Sequence, residues 1–169
     1  MKTQLFSKFD MKDLSASNFI LGMEIKRDQK RRKLWLNQIK YVETILQRFN
    51  MQECELVKVP IIVGVKLSTD ECPKTQEEEE DVSHVPYVSA VGILMYAMVC
   101  TRPYIAHAMG VLSRYMSKPG KEHWTTIKRV FRYLRGTASY GLCYEGRTGL
   151  DRVVDIHVFG CRLGWRFGS

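Results

Sequence analysis

Residues 19–25, Phe19-Ile20-Leu21-Gly22-Met23-Glu24-Ile25, are largely apolar over the length of a strand, and Leu34-Trp35-Leu36 forms a second such run. Between them lies Lys26-Arg27-Asp28-Gln29-Lys30-Arg31-Arg32-Lys33, a polar stretch long enough to close a hairpin. The pattern predicts a short antiparallel β-hairpin whose first strand is buried. Ile39, Val42, Leu46 and Phe49 then recur at spacings of three, four and three, which marks one face of a helix, and Asn50 is a suitable stop for it. Residues 57–67 are apolar but hold Pro60 and Gly64, and read as irregular or extended. Residues 68–83 are polar and acidic, and read as a solvated linker.

After Pro86 the pattern becomes helical throughout. Val88, Val91, Leu94, Met95, Met98 and Val99 predict a broad apolar face, with Ala90 and Gly92 permitting close packing. Thr101 is placed to cap a second helix with Pro103 in its first turn, and Ile105, Ala108, Met109, Leu112, Tyr115 and Met116 supply its apolar stripe. Pro119-Gly120 interrupts the chain. A third helix directs Trp124, Ile127, Phe131 and Leu134 inward, and Gly136 stands where a helix end favours a left-handed residue. Leu142-Cys143-Tyr144 reads as a further short strand.

The 169 residues suffice for one sizeable core, and 45% hydrophobic content argues for a globular chain. No run approaches the roughly 20 apolar residues of a membrane span, and the first residues turn charged too early for a signal peptide, so an intracellular setting, cytoplasmic or nuclear, is expected. The five cysteines are odd in number, scattered, and form no Cys-x-x-Cys pair, so reduced and mostly buried thiols are expected. The net charge is +8, and it is segregated. Residues 24–33 carry six basic and two acidic side chains, residues 101–136 carry eight basic side chains and Glu122, and residues 70–81 carry seven acidic side chains and Lys74. Such basic blocks suit a polyanionic partner.

Enzymatic signatures are sparse. There is no Gly-x-x-x-x-Gly-Lys phosphate loop, no dinucleotide fingerprint and no Gly-x-Ser-x-Gly elbow. His84, His107, His123 and His157 lack metal-ligand spacing, and the run from Glu77 to Asp81 reads as solvated surface rather than a metal site. His123-Trp124 reads as structural, Trp124 as a core anchor. Two groups of cations are candidates for phosphate contacts. Lys26, Arg27, Lys30, Arg31, Arg32 and Lys33 crowd the hairpin, where an ordinary solvated turn is the alternative. Lys128, Arg129, Arg132 and Arg135, with Lys121, line the polar side of the third helix, where a surface that binds nothing is the alternative.

The order of motifs along the chain resembles copia-type retrotransposon Pol polyproteins, in the C-terminal part of the reverse transcriptase just before ribonuclease H. The resemblance rests on Leu21-Gly22-Met23-Glu24-Ile25, on Tyr87-Val88-Ser89-Ala90-Val91-Gly92-Ile93-Leu94-Met95-Tyr96, on Cys100-Thr101-Arg102-Pro103, on Arg114-Tyr115 with Pro119-Gly120-Lys121-Glu122-His123-Trp124, and on Arg132-Tyr133-Leu134-Arg135-Gly136-Thr137. It covers about residues 5–145, and Phe9-Asp10-Met11-Lys12-Asp13-Leu14 matches a segment past the family's catalytic hairpin. It implies an α+β fold: an incomplete reverse transcriptase of mostly helical thumb and connection elements with one short antiparallel β-hairpin, the primer grip. The implied organisation is a palm end, primer-grip hairpin and first thumb helix over 1–67, an acidic linker over 68–85, thumb and connection helices over 86–146, and an unrelated tail over 147–169. The implied partner is a template–primer duplex of RNA or DNA, bound weakly through the two groups of cations; the missing palm or another Pol segment could join in trans, and no membrane is involved. The family's magnesium ions are held by paired aspartates. This chain has no Asp-Asp pair. RNA-directed DNA polymerisation by this chain alone is therefore not expected, and no cofactor is assigned to it. A decayed transposon product and a protein-interaction module using residues 88–116 are the competing readings.

The match has departures. Ser15 stands in place of glycine, and Tyr104 in place of the aspartate that usually follows Thr-Arg-Pro and would favour a helix N-terminus. In the tail, Val158-Phe159-Gly160-Cys161-Arg162-Leu163-Gly164-Trp165-Arg166-Phe167-Gly168 replaces the Tyr-Ser-Asp-Ala-Asp-Trp-Ala-Gly-Asp start of ribonuclease H. Back-translated and shifted by one nucleotide, the tail permits that sequence. A frameshift between about Glu145 and Val158 with early termination is expected, so that Asp151 and Asp155 are not ribonuclease H ligands. Sequencing the coding DNA should show CGA-TTG-GGC or close synonyms at Arg162-Leu163-Gly164; other codons refute the shift.

Overall fold

The computed structural model describes residues 17–62, 64, 67–146 and 154–160. The expectations for residues 9–15, Asp151 and the tail past Gly160 lie outside them. The described residues build an α+β fold of five α-helices and one five-stranded antiparallel sheet. The strands are β1 (Phe19–Ile20), β2 (Met23–Asp28), β3 (Lys33–Asn37), β4 (Gly141–Gly146) and β5 (Val154–Phe159), adjacent in that order. The helices are α1 (Ile39–Arg48), α2 (Gln76–Ser83), α3 (Tyr87–Cys100), α4 (Ala106–Leu112) and α5 (Lys121–Gly136).

Predicted and observed elements differ first at residues 19–25. They form two strands, not one, because Leu21 and Gly22 both take positive φ (50° and 75°) and close a two-residue hairpin that pairs Ile20 with Met23. That geometry suits the twist of an antiparallel pair. Glycine adopts it freely, whereas leucine does so at a cost of about 1–2 kcal/mol. The Tyr96 hydroxyl donates to the Leu21 carbonyl, and the Tyr41 ring lies 3.7 Å from where a Gly22 side chain would begin. The first strand is also exposed rather than buried: Phe19, Ile20 and Leu21 are all open to solvent, and Ile25 alone of this stretch is buried. The short hairpin expected from sequence is the middle of a larger sheet, since β4 and β5 extend it beyond β3.

The helical expectations hold more closely. In α1, Val42, Ile45 and Leu46 are buried, and Asn50 takes φ 53° as the left-handed residue that ends the helix. Met51 N–H donates to the Leu46 carbonyl (2.8 Å) and Asn50 N–H to the Gln47 carbonyl (3.1 Å), the paired bonds of a Schellman cap. Helices α1, α3, α4 and α5 enclose the core, with Leu94, Ile105, Leu112, Ile127, Phe131 and Leu134 fully buried and Phe49 stacked on Phe131 at 4.7 Å. Trp124 packs against this core only in part, beside Phe49.

Four local expectations are corrected. Residues 76–83 are a helix rather than a linker: Thr75 Oγ1 accepts from Glu78 N–H (3.3 Å), and three glutamates in the first turn favour the helix dipole. Helix α3 buries Tyr87, Ala90, Val91, Leu94 and Ala97, leaving Val88, Met95 and Val99 exposed, because the helix is apolar all round and periodicity could not choose its inner side. Thr101 does not cap the next helix; its hydroxyl donates to buried Gln38 Oε1 (2.7 Å). Gly136 is not left-handed, and α5 runs through it to Thr137 with Leu56 and Val57 close by. Of the four cysteines among the described residues, all free, Cys143 alone is buried.

One cation joins the helical layer to the sheet. Arg102 is fully buried just after α3, in the segment that leads into α4. Its Nη1 donates to the Tyr140 carbonyl (2.7 Å) and to Tyr104 Oη (2.8 Å), and its Nη2 donates to the Ala138 carbonyl (2.9 Å). Both carbonyls belong to the segment that carries the chain from α5 into β4. An apolar replacement removes a charged donor from each, and losing such a bond at a buried acceptor costs about 1–3 kcal/mol. Arg102→Leu should therefore lower unfolding stability by about 3 kcal/mol in urea titrations; a loss under about 1 kcal/mol contradicts this role.

Candidate nucleic-acid interface

The basic hairpin is built by the sequence around its tip. Strands β2 and β3 pair Ile25 with Leu36, Lys26 with Trp35, Arg27 with Leu34 and Asp28 with Lys33, so the turn itself is only residues 29–32, shorter than the polar stretch suggested. Asp28 Oδ1 accepts from Arg31 N–H (3.0 Å), which folds the turn back on its own strand, and Arg32 closes it with φ 54°. Lys26, Lys30, Arg31 and Arg32 are exposed. The Arg31 guanidinium lies 3.8 Å from Asp28 and is 78% exposed, so that pair costs little to open. Arg27 is also exposed, and its Nη1 donates to the Ser17 carbonyl (2.5 Å). Lys33 pairs with Glu145 across β3 and β4 (3.0 Å). Lys26, Lys30, Arg31 and Arg32 thus face outward, while Arg27 and Lys33 meet a carbonyl and a carboxylate of the fold.

The second group is used differently. Arg132 Nε donates to the Glu55 carbonyl (2.9 Å), its Nη2 contacts the Glu55 carboxylate, and Arg135 Nη1 donates to the Cys54 carbonyl. These arginines clasp the 54–57 segment onto α5. Arg129 is half-buried, and Lys128 sits over the Trp124 ring at 5.7 Å. Lys118 and Lys121 pair with Glu79 and Asp81 of α2, the latter at 2.8 Å, and hold that helix across the start of α5. The Asp81 carboxyl is held below its ordinary range by Lys121, first through their hydrogen bond. Much of the basic block over 101–136 therefore serves the fold. Neither composition nor spacing distinguishes an arginine that faces solvent from one that meets a carbonyl contributed by a segment some eighty positions away.

His123 is structural, as expected, and its partner is now visible. Gly120 N–H donates to His123 Nδ1 (2.8 Å), so the third residue of α5 caps its own N-terminus. The Tyr115 ring stacks on it at 4.0 Å, and Tyr115 Oη donates to the Leu67 carbonyl (2.7 Å). Gly120 admits no side chain, since a Cβ there would stand 1.8 Å from the Glu71 carbonyl oxygen. The three-position spacing from Gly120 to His123 after a proline was the available signal. Among the described residues no group of three or more His, Cys, Asp or Glu could hold a metal ion.

With this geometry in hand, the comparisons with known proteins decide the family. A family model described as reverse transcriptase (RNA-dependent DNA polymerase) matches residues 1–63. The retrovirus-related Pol polyprotein from transposon TNT 1-94 of Nicotiana tabacum is 54% identical over 99% of this chain. The chain belongs to the copia-type retrotransposon Pol family. It spans 13% of the length of that polyprotein. The Pol polyprotein from transposon RE2 of Arabidopsis thaliana is 34% identical over 82% of this chain and 9% of its own length. The uncharacterized mitochondrial protein AtMg00810 of Arabidopsis thaliana is 34% identical over 94% of this chain and 62% of its own length. No solved structure matches. Within this Pol segment, Arg102, Gln38 and the Tyr41–Tyr96 pair (ring centroids 5.1 Å apart) were not singled out as structural keys. Only the position of Arg102 beside Pro103 hinted at a special backbone site.

The cap makes a pH prediction. Burial holds the His123 imidazole below its ordinary value, with Glu71 (3.9 Å from Nε2) and Glu122 opposing that shift in part. A histidine with a lowered folded value takes up a proton in the unfolded chain first, so stability falls as pH drops through about 6.5. Thermal melts should show that loss between about pH 7.5 and 5.5, and His123→Asn, whose Oδ1 can accept from Gly120 N–H, should flatten it; an equal slope in both proteins contradicts the assignment.

Proposed function

We propose that this chain is the primer-grip and thumb portion of a copia-type reverse transcriptase, an incomplete polymerase fold that holds a template–primer duplex and does not extend it unaided. One observation carries the reading: a hairpin with exposed Lys26, Lys30, Arg31 and Arg32 at and beside its tip, in a chain of this family. Lysine and arginine on a turn can meet successive phosphates without reading bases, which is what gripping a primer of any sequence demands. The sheet stiffens the hairpin from below, and Asp28 fixes the turn, so little ordering is left for binding to accomplish. Among the cations of α5, Lys128 adds a secondary contact, while Arg132 and Arg135 position the 54–57 segment. Two-metal phosphoryl transfer belongs in this proposal to the upstream aspartates of a longer Pol chain.

Binding to a short RNA–DNA or DNA duplex should weaken roughly a hundredfold between about 50 and 200 mM salt if some four phosphates are contacted. The combined variant Lys26→Gln, Lys30→Gln and Arg31→Gln should lower affinity at least about tenfold and flatten the salt slope by two to three, whereas Lys128→Gln should change the slope by about one at most. Fluorescence anisotropy measures both. Salt-independent affinity, or a triple variant that binds like the parent, rejects the hairpin as the grip.

A further inference from the structure

Helix α3 is 14 residues long and contains no charged side chain. Its inner side meets the core, yet its outer side is apolar as well. Val88 is 53%, Met95 38% and Val99 77% exposed, and open space surrounds the position a Gly92 side chain would take. A helix apolar on all sides is normally covered on all sides. Among the described residues no single helix is long and apolar enough to cross a membrane, and α3 at about 21 Å falls short of a bilayer core of about 30 Å.

The outer stripe has an order that singles out one occupant. Val88, Gly92, Met95 and Val99 are separated by four, three and four positions, the steps of a helix–helix seam. The steps read alike in both directions, and a valine stands at each end. Laid antiparallel about a twofold axis, two copies of α3 therefore bring Val88 opposite Val99 and Gly92 opposite Met95. The long methionine of each copy meets the notch left by the other's glycine, large against small. The bond from Tyr96 to Leu21 sets the exposed β1 hairpin beside this stripe and widens the apolar area. The exposed side chains of Phe19, Ile20, Leu21, Val88, Met95 and Val99 amount to roughly 600 Å² per copy, somewhat below the ~800 Å² per partner of a standard stable interface. A chain of net charge +8 repels its copies, and least so where two faces without charge meet.

We propose that the outer face of α3 is a self-docking surface on which two copies of this chain pair antiparallel across Val88, Gly92, Met95 and Val99. The dimer is modest in strength and places the basic hairpins of both copies in one assembly. This inference stands independently of duplex binding.

Sedimentation equilibrium on the full chain in moderate salt should show a monomer–dimer equilibrium with a dissociation constant on the order of 10 µM. Met95→Glu and Gly92→Lys, both at solvent-facing positions, should each weaken it at least about tenfold while keeping the circular dichroism spectrum of the folded chain, and Gly92→Lys, which removes a mid-helix glycine, should not lower the melting temperature of the monomer. The double variant should recover most of the lost affinity, because each new cation then faces the new anion of the other copy. That rescue depends on the antiparallel register and not on general stickiness. A chain that stays monomeric up to about 500 µM overturns the proposal, as does an association that Met95→Glu leaves intact. So does a face that takes up an upstream Pol segment or a phospholipid vesicle while the chain itself remains monomeric.

Discussion

A buried guanidinium holds the two layers of this protein together. Arg102 sits where α3 gives way to the next helix, and its hydrogen bonds end on carbonyls of Ala138 and Tyr140 and on the Tyr104 hydroxyl. No carboxylate accepts from it among the described residues. Its two terminal nitrogens instead meet two backbone carbonyls and a tyrosine hydroxyl in fixed directions, which fixes the path of the chain, while Nε finds no partner among the described residues. Tyr104 gains meaning from this. In place of a helix-terminal charge it supplies a hydroxyl to the guanidinium and a ring that packs edge-on to Tyr133 and Tyr140. With β4 held there, β3 gains its neighbour, and the basic hairpin gains a stiff base.

The charge pattern divides along the same line. Arginines on α5 reach backbone and carboxylate of the 54–57 segment, and lysines near its start bind α2. Those exposed ion pairs individually contribute little to stability, and their effect is to set where α2 and the 54–57 segment lie against α5. At the hairpin the balance is reversed: Asp28 shapes the turn, and the tip cations face water. Positive charge is thus used inwardly at one end of the basic sequence and outwardly at the other. An apolar helix face and a basic tip then coexist on one small domain, so each can engage a partner without competing for the same side chains.

How much was legible follows the range of the interaction. Helices α1, α4 and α5 could be read from spacing because their apolar faces are narrow and their opposite sides polar. Asn50 was legible as a stop because asparagine tolerates left-handed backbone. Helix α2 was not legible although Thr75 and Glu78 form the signature of a cap, since it buries only Val82 and so shows no apolar stripe. Helix α3 was found, but only part of its inner face was: Val91 and Leu94 are buried and Met98 packs on the core, whereas Val88, Met95 and Val99 are exposed, as a uniformly apolar helix carries no directional signal. The β1 hairpin was missed because a leucine rarely takes positive φ, and the Tyr96 hydroxyl that meets the Leu21 carbonyl comes from 75 positions away.

The sequence by itself determined the Pol family, the presence of a basic hairpin, the helical elements with polar and apolar sides, and the lack of paired aspartates. All of these are properties of neighbours along the chain or of motif order. Tertiary structure alone decided which cations meet carbonyls and which meet solvent, which side of α3 is covered, and how many strands join the hairpin. Those outcomes depend on groups brought together across dozens of residues, where packing and hydrogen-bond geometry are set by the whole fold and leave no local trace in composition or spacing.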